Sequence, residues 1–427
     1  NGKTQEVEIL TLEDCLRIGI DNNLSLEGKR KEIQKSKYGV SENRSKLLPQ
    51  INAIAGYNNN FDPPVSVTDG SSYGVPYNIT KTLQHSANAG LEMQMPLFNQ
   101  TLYTSMSIAK VMEEISRLSY GKAREDVILQ ISKMYYLGQV TAEQIMLIKA
   151  NITRLEELRD ITQAFFDNGM SMEVDLKRVN INLENLKVQY DNAQAMMKQQ
   201  LNMLKYIMDY PAEKEIALTP VNTDSITTVA LTGLSENIYE LQLSQSQVQL
   251  AERQKKIITN GYIPSLSLTG SWRYAAYTDK GYHWFHSGPS NQWFRSYGVG
   301  LTLRIPIFDG LDKTYKIKKA MIDIENKRLA WEDARKNLQT QYLNAVNDLM
   351  NNQRNFKKQK DNYLLAEDVY AVTSDRYREG IASMTEVLQD EMQMSEAQNN
   401  YISAHYNYRV TNLMLLKLTG QIESLVK

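Results

Sequence analysis

The sequence predicts an α+β membrane protein in which very long coiled-coil helices alternate with amphipathic β-hairpins, and the plan runs twice along the chain. Three observations predict it. First, no proline occurs between Pro306 and the C-terminus, and glycine occurs there only at Gly310, Gly380 and Gly420. Within that stretch Tyr342, Leu349, Phe356, Tyr363, Tyr370 and Tyr377 recur every seven residues, and Leu338, Ala345, Asn352, Gln359, Ala366 and Thr373 form a second, mixed row four residues earlier. A seven-residue repeat held this long implies a helix wound left-handedly against neighbours. From Gly310 to Arg378 it would run roughly 100 Å. Second, four runs alternate apolar and polar residues at the period of a strand. Third, Pro49 matches Pro264, Pro96-Leu97-Phe98-Asn99 matches Pro306-Ile307-Phe308-Asp309, and Gly169 matches Gly380, at offsets of 215, 210 and 211. Three landmarks in the same order at near-constant offset read as an internal duplication.

In chain order, Thr11 is placed as the N-cap of a first helix, with Asp14 three residues later in a capping-box position; the helical pattern runs to about Lys46. Ile51, Ala53, Ala55 and Tyr57 then alternate with residues that include Asn52 and Gly56. Residues 58–84, with Asp62-Pro63-Pro64 and Asp69-Gly70-Ser71-Ser72, read as a long loop. A second run sets Ala87, Ala89, Leu91, Met93 and Met95 against Asn88, Gly90, Glu92 and Gln94. Helices follow over 100–165 and 171–209, interrupted at Asp167-Asn168-Gly169. After a mixed stretch over 211–235 the plan restarts, with a helix over about 236–260. Two more strands follow: Leu266, Leu268, Gly270, Trp272 and Tyr274 oppose Ser265, Ser267, Thr269, Ser271 and Arg273, and Tyr297, Val299, Leu301, Leu303 and Ile305 oppose Ser296, Gly298, Gly300, Thr302 and Arg304. The long helix and a returning one, reaching about Thr419, close the chain.

At 427 residues the length suggests two or three domains. A net charge of −1 argues against a dedicated nucleic-acid binder, which needs a basic surplus. One cysteine, Cys15, excludes an internal disulfide framework, and its amphipathic setting reads as a small buried side chain. No apolar run approaches the eighteen or so residues of a spanning helix. No leader is evident at Asn1, which fits a cytosolic chain or a mature exported one. No nucleophile–base set, P-loop or metal-ligand cluster is found, so neither an enzyme nor a cofactor is expected. His283 and His286 form an i, i+3 pair in a loop without further ligands.

The alternating runs fit a half-buried soluble sheet or a lipid-facing wall. Two features favour the wall: the strands reach about ten residues, enough to cross a bilayer with tilt, and Tyr57, Trp272, Tyr274, Tyr297, Trp284 and Trp293 gather toward their loop ends as an interfacial girdle would. An open sheet edge cannot sit in hydrocarbon, and four strands are too few to close alone. Two copies would give eight strands, too narrow for an open channel, so three copies and twelve strands are expected.

The repeated order of helix, strand–loop–strand, Pro-Leu/Ile-Phe-Asn/Asp, long helix, Gly-containing tip and returning helix resembles the TolC-type outer membrane efflux proteins. So do the opening Leu10-Thr11-Leu12-Glu13-Asp14-Cys15-Leu16 and the segment Tyr377-Arg378-Glu379-Gly380-Ile381-Ala382-Ser383-Met384-Thr385-Glu386-Val387-Leu388. The resemblance covers roughly residues 10 to 420. It implies a homotrimeric exit duct of a tripartite efflux or type I secretion system in a Gram-negative bacterium: a 12-stranded barrel in outer-membrane lipid, continued by an α-helical barrel across the periplasm. The partners it implies are a periplasmic adaptor (membrane fusion) protein and an inner-membrane pump. On this reading residues 8–47, 99–210, 236–263 and 310–419 build the helical barrel, 48–98 and 264–309 the membrane hairpins, and 211–235 and 420–427 a mixed equatorial segment.

Carried over residue by residue, Asn168, Gly169, Met170, Glu379, Gly380 and Ile381 become the adaptor-contact tips. Asp175 and Glu386, each six positions after a tip glycine, become acidic ring positions, and Tyr377 the gate tyrosine. Two departures stand out. A basic gate residue expected two places after the second glycine is Ala382, and the acidic position nine after it is Gln389, followed by Asp390. Glu92, Gln94, Arg273 and Arg304 face the barrel lumen. Asp175 and Glu386 also fit plain first-turn acids that stabilise a helix dipole, Tyr377 fits core packing, and Glu92 and Arg304 fit a cross-sheet pair. The rival from another class is a soluble coiled-coil scaffold that binds partner helices.

Overall fold

A computed structural model describes residues 7–221, 233–279 and 293–426; Trp284 and the His283–His286 pair lie outside them. The elements in order are β1 (Glu8–Leu10), α1 (Leu12–Asn22), α2 (Leu24–Ser45), β2 (Gln50–Asn59), β3 (Val65–Asp69), β4 (Tyr77–Lys81), β5 (His85–Phe98), α3 (Gln100–Asp167), α4 (Glu173–Met208), β6 (Ile216–Leu218), α5 (Tyr239–Asn260), β7 (Ser265–Thr278), β8 (Trp293–Arg304), α6 (Asp312–Arg378) and α7 (Met384–Leu418). They fall into two units, one of Asn1–Ile33, Ser116–Gln245 and Leu329–Lys427, the other of Gln34–Ile115 and Ser246–Arg328. At 68 and 67 residues α3 and α6 are unbroken helices. No helix among the described residues is long and apolar enough to cross a membrane.

The first unit is helical and held by side chains at coiled-coil spacing. Leu338, Tyr342, Ala345 and Leu349 of α6 are buried against Tyr408, Leu415 and Leu418 of α7. Farther along, Phe356 and Tyr363 place their rings 5.8 and 5.6 Å from that of Tyr401, and Tyr370 and Tyr377 are buried again. The seven-residue row is therefore the inward row of α6 from Tyr342 to Tyr377. Another core gathers Cys15, Leu16 and Ile20 of α1 with Val127, Ile128 and Ile131 of α3 and Leu204 and Met208 of α4. Burial pushes the Cys15 thiol up to about 12, so it stays protonated and inert.

The N-terminal stretch corrects two expectations. Residues 8–47 are not helical throughout: Glu8–Leu10 pairs in parallel with Ile216–Leu218, and a three-residue strand has no period to read. The helical pattern also breaks at Asn23, whose side-chain amide donates to the Ile207 carbonyl at 2.7 Å while its Oδ1 accepts from Leu26 N at 3.1 Å. A side chain that caps one helix and tethers to another is invisible to hydrophobic periodicity. Ahead of α1, Thr11 and Asp14 form the expected reciprocal capping box.

The second unit carries a four-stranded antiparallel sheet in the order β2-β5-β7-β8. Gln50 faces Gln94 and Ile51 faces Met93 in one hairpin, and Ser265 faces Arg304 and Leu266 faces Leu303 in the other. Residues 58–84 are not simply a loop, because β3 and β4 pair there as a short ribbon, with Val67 opposite Ile79. The prolines and Asp-Gly pair mark the ribbon's two ends and its turn, and the strands between are too short to register as alternation.

Leu16→Ala, at a side chain with no solvent exposure, should lower stability by about 2–5 kcal/mol, read as a fall in the thermal midpoint of the detergent-solubilised protein.

Candidate functional site

Two helical hairpins, α3–α4 and α6–α7, turn through the same geometry. Gly169 and Gly380 have φ of 71° and 74°, a left-handed backbone that costs a residue with a Cβ energy. Met170 N bonds Phe165 O and Gly169 N bonds Phe166 O, at 2.8 and 2.9 Å; Ile381 N to Arg376 O and Gly380 N to Tyr377 O repeat both distances. These are Schellman caps, which satisfy the last free carbonyls of each long helix. Asn168, Met170, Glu379 and Ile381 are exposed around them, and Met170, Met172 and Ile381 present apolar side chains to solvent at the two turns.

Beyond the turns the two hairpins differ. Ser383 caps α7: its N and Oγ donate to Glu386 Oε2 at 2.7 and 2.9 Å, and Glu386 N returns to Ser383 Oγ. These bonds, with Arg376 nearby, hold the Glu386 carboxyl below the usual carboxylate range. Met172, at the same place before α4, offers no side-chain cap. Asp175 instead pairs with Arg178 at 3.3 Å, and the same Arg178 Nη1 lies 3.3 Å from Thr385 Oγ1 on α7. Arg178 thus ties the first turns of α4 and α7 together with a cation where Ala382 supplies none.

Tyr377 is buried: its hydroxyl is 3.2 Å from Thr162 Oγ1, and its ring is 5.6 Å from that of Phe165, both on α3. Sequence reasoning missed Arg178, Thr162 and the Arg154–Glu367 ion pair between α3 and α6, because each joins helices more than two hundred residues apart in sequence. Gln389 is exposed and lines a groove of ≈ 540 Å³ with Arg178, Thr385, Leu388 and Met392; Asp390 beside it is half-buried.

On the polar face of the sheet, Glu92 pairs with Arg273. Both line a concavity of ≈ 470 Å³ with Asn52, Gln94, Thr269, Ser271, Gly298 and Gly300. Arg304 stands opposite Ser265 at the end of β8, two strands from Glu92. The opposite face presents Tyr297, Val299, Leu301 and Leu303, all exposed. Among the described residues no group of side chains could hold a metal ion.

A wall with one bare apolar face, on a chain of coiled-coil hairpins, defines a membrane channel component. The chain matches the outer membrane efflux protein family over residues 18–208 and 230–421. It is 21% identical over 399 residues to the outer membrane protein TolC of Vibrio cholerae, covering 90% of this chain and 84% of that one. It is also 23% identical over 379 residues to the probable efflux pump outer membrane protein TtgC of Pseudomonas putida, covering 84% and 75%. The solved structure of CusC superposes with a TM-score of 0.79 at 15% identity, over 98% of this chain and 94% of that one. The chain belongs to the outer membrane efflux protein family and is an efflux channel of the outer membrane of a Gram-negative bacterium.

Because Thr162 Oγ1 keeps its 2.7 Å bond to Leu158 O, Tyr377→Phe should cost only about 1 kcal/mol. Tyr377→Ala should cost about 3–5 kcal/mol. Thermal unfolding of both variants in detergent separates the hydroxyl from the packing.

Proposed function

We propose that three copies of this chain build one export duct. The β8 edge of each copy pairs with β2 of the next to close a barrel of twelve strands, and the helices within 12–45, 99–210, 236–263 and 310–419 continue it as an α-helical barrel across the periplasm. The observation that carries this reading is the bare edge. All twelve residues of β8 are exposed, and each unpaired N–H or C=O left in hydrocarbon would cost several kcal/mol. The corner after that edge agrees: Ile307 and Phe308 are 93% and 81% exposed, whereas their counterparts Leu97 and Phe98, with β7 beside them, are 42% and 43% exposed. A neighbouring copy at β8 would cover the first pair much as the chain's own β7 covers the second.

Matching registers in the two hairpins and matching caps at Gly169 and Gly380 support an origin by duplication. So do the caps that close α4 and α7, at Asp209 (φ 51°) and Gly420 (φ 71°), again 211 residues apart. Channels of this family work with a periplasmic adaptor and an inner-membrane pump. In this chain the exposed tip residues Asn168–Met170 and Glu379–Ile381 would meet the adaptor. Asp175, Tyr377, Glu386, Gln389 and Asp390 would form the constriction, and Glu92, Gln94, Arg273 and Arg304 the barrel lumen. Opening splays the tip hairpins, driven by the partners.

The duct is tested by the mass of the detergent-extracted protein together with conductance in planar bilayers: three chains and ion flow support it, and a non-conducting monomer defeats it. Leu301→Arg should cost about 2–4 kcal/mol per chain near the midplane and reduce trimer yield; an unchanged yield would mean that this face does not meet lipid. Asp175→Ala combined with Glu386→Ala should weaken cation preference, since acidic rings favour cations. An unaltered reversal potential would remove the two acids from the constriction.

A further inference from the structure

Glu391 is a buried carboxylate that neither the caps nor the ion pairs of the tip employ. It lies on α7 with Val387 and Leu388 one turn before it and Met394 one turn after, all in the apolar cluster that joins α3, α4, α6 and α7 near the turns. Only 4% of the residue is exposed, and its Oε1 has no hydrogen-bond partner. Buried polar atoms are nearly always paired, so an orphaned carboxylate oxygen in a core is an exception that calls for a cause.

The charged groups of the surrounding helices are committed elsewhere. On α3, Arg154 pairs with Glu367 of α6, and Glu157 with Arg378 of α6. Arg378 also reaches Asp375 on its own helix. On α4, Arg178 holds Asp175 and Thr385. On α7 itself, Glu386 is taken up by Ser383, and Asp390 is half-buried beside Glu391. From α6 the ionisable group that feels Glu391 is the phenol of Tyr370. Burial is the one influence on the Glu391 carboxyl, and it pushes the group up to about 6. Near neutral pH the tip therefore holds an ionised, uncompensated carboxylate in an apolar core, which is costly to keep there.

We infer that Glu391 makes the tip hairpins proton-sensitive: ionised, it loosens the packing of α7 against α6 and favours opening, and protonated, it holds the hairpins together. This rests on the duct reading and adds to it a control by the acidity of the periplasm. The sign follows from the burial. In the packed state the carboxyl takes up a proton at higher pH than it does in water, so acid stabilises the packed state progressively below about pH 6. Acid outside the cell would then shut the duct.

The test compares wild type with Glu391→Gln, which mimics the protonated acid in shape. In planar bilayers the wild-type opening equilibrium should fall by about tenfold per chain between pH 7.5 and pH 5, while the variant should stay at the closed, acid-like level at both. Amide exchange across Met384–Met394, corrected for the intrinsic pH dependence, gives a second readout that needs no conductance. It should slow in acid for wild type and be slow throughout in the variant. Glu125, raised to about 7 by burial, against the pull of Lys417 and with Glu423 and Asp126 adding to it, is intact in both proteins, so a response common to both does not come from Glu391. Equal pH responses in the two proteins, by conductance and by exchange, would overturn the role of Glu391. A wild type that never conducts but shows the exchange difference would defeat the duct and leave the proton-sensitive packing standing.

Discussion

The constraint on which the rest depends is the unfinished hydrogen bonding of a four-stranded sheet. In water, the free N–H and C=O groups along β2 and β8 would be hydrated. In hydrocarbon nothing replaces that water, and only a closed barrel satisfies every strand. The chain ends its sheet at β8, a strand with both faces and one edge bare. That open edge is the observation on which the proposed three-copy barrel rests. The residues of β8 follow the same rule: alternation puts Val299, Leu301 and Leu303 on one side and Gly298, Gly300 and Thr302 on the other, so one slip in register would exchange the faces.

The helical unit meets the same requirement by the opposite route. Every interior backbone group of α3 and α6 is paired within its own helix, so unpaired groups are confined to the ends. There the chain uses Schellman caps at Gly169, Gly380, Asp209 and Gly420 and capping boxes at Thr11 and Ser383. Between the ends, the inward row of α6 is largely aromatic. Tyr342, Tyr370 and Tyr377 fill the space between helices with rings whose hydroxyls can find polar partners, as Tyr377 does with Thr162. Such a core packs well yet keeps polar handles inside it. Near the tips, the Glu391 carboxylate has an oxygen in that core without a hydrogen-bond partner.

Much of the architecture was legible because it follows periods and punctuation. The absence of proline and the spacing of Tyr342 through Tyr377 announced α6. Alternation from Ser265 to Tyr274 announced β7, and Gly169 and Gly380 marked both turns. The functional contacts were less legible. Asp175 was recognisable from its place after the glycine, but its partner Arg178 and the link to Thr385 were not. Ala382 had suggested a tip without a nearby cation, and the helix across the groove supplies one. Glu92 could be assigned to the polar face, while its pairing with Arg273 rather than Arg304 depended on the stagger of β5 against β7.

Sequence alone determined the elements whose cause is local: helix length, strand alternation, the glycine that must turn left-handed, and the acid that completes a capping box. These depend on residues within a turn or two of one another, and one chain of letters contains them all. Only the tertiary structure decided which helices meet, that Asn23 divides the N-terminal helices and bonds the Ile207 carbonyl, that β1 finds β6, and that Tyr377 and Glu391 face inward. Those outcomes depend on contacts between segments a hundred or more residues apart, where packing of whole faces outweighs any local preference.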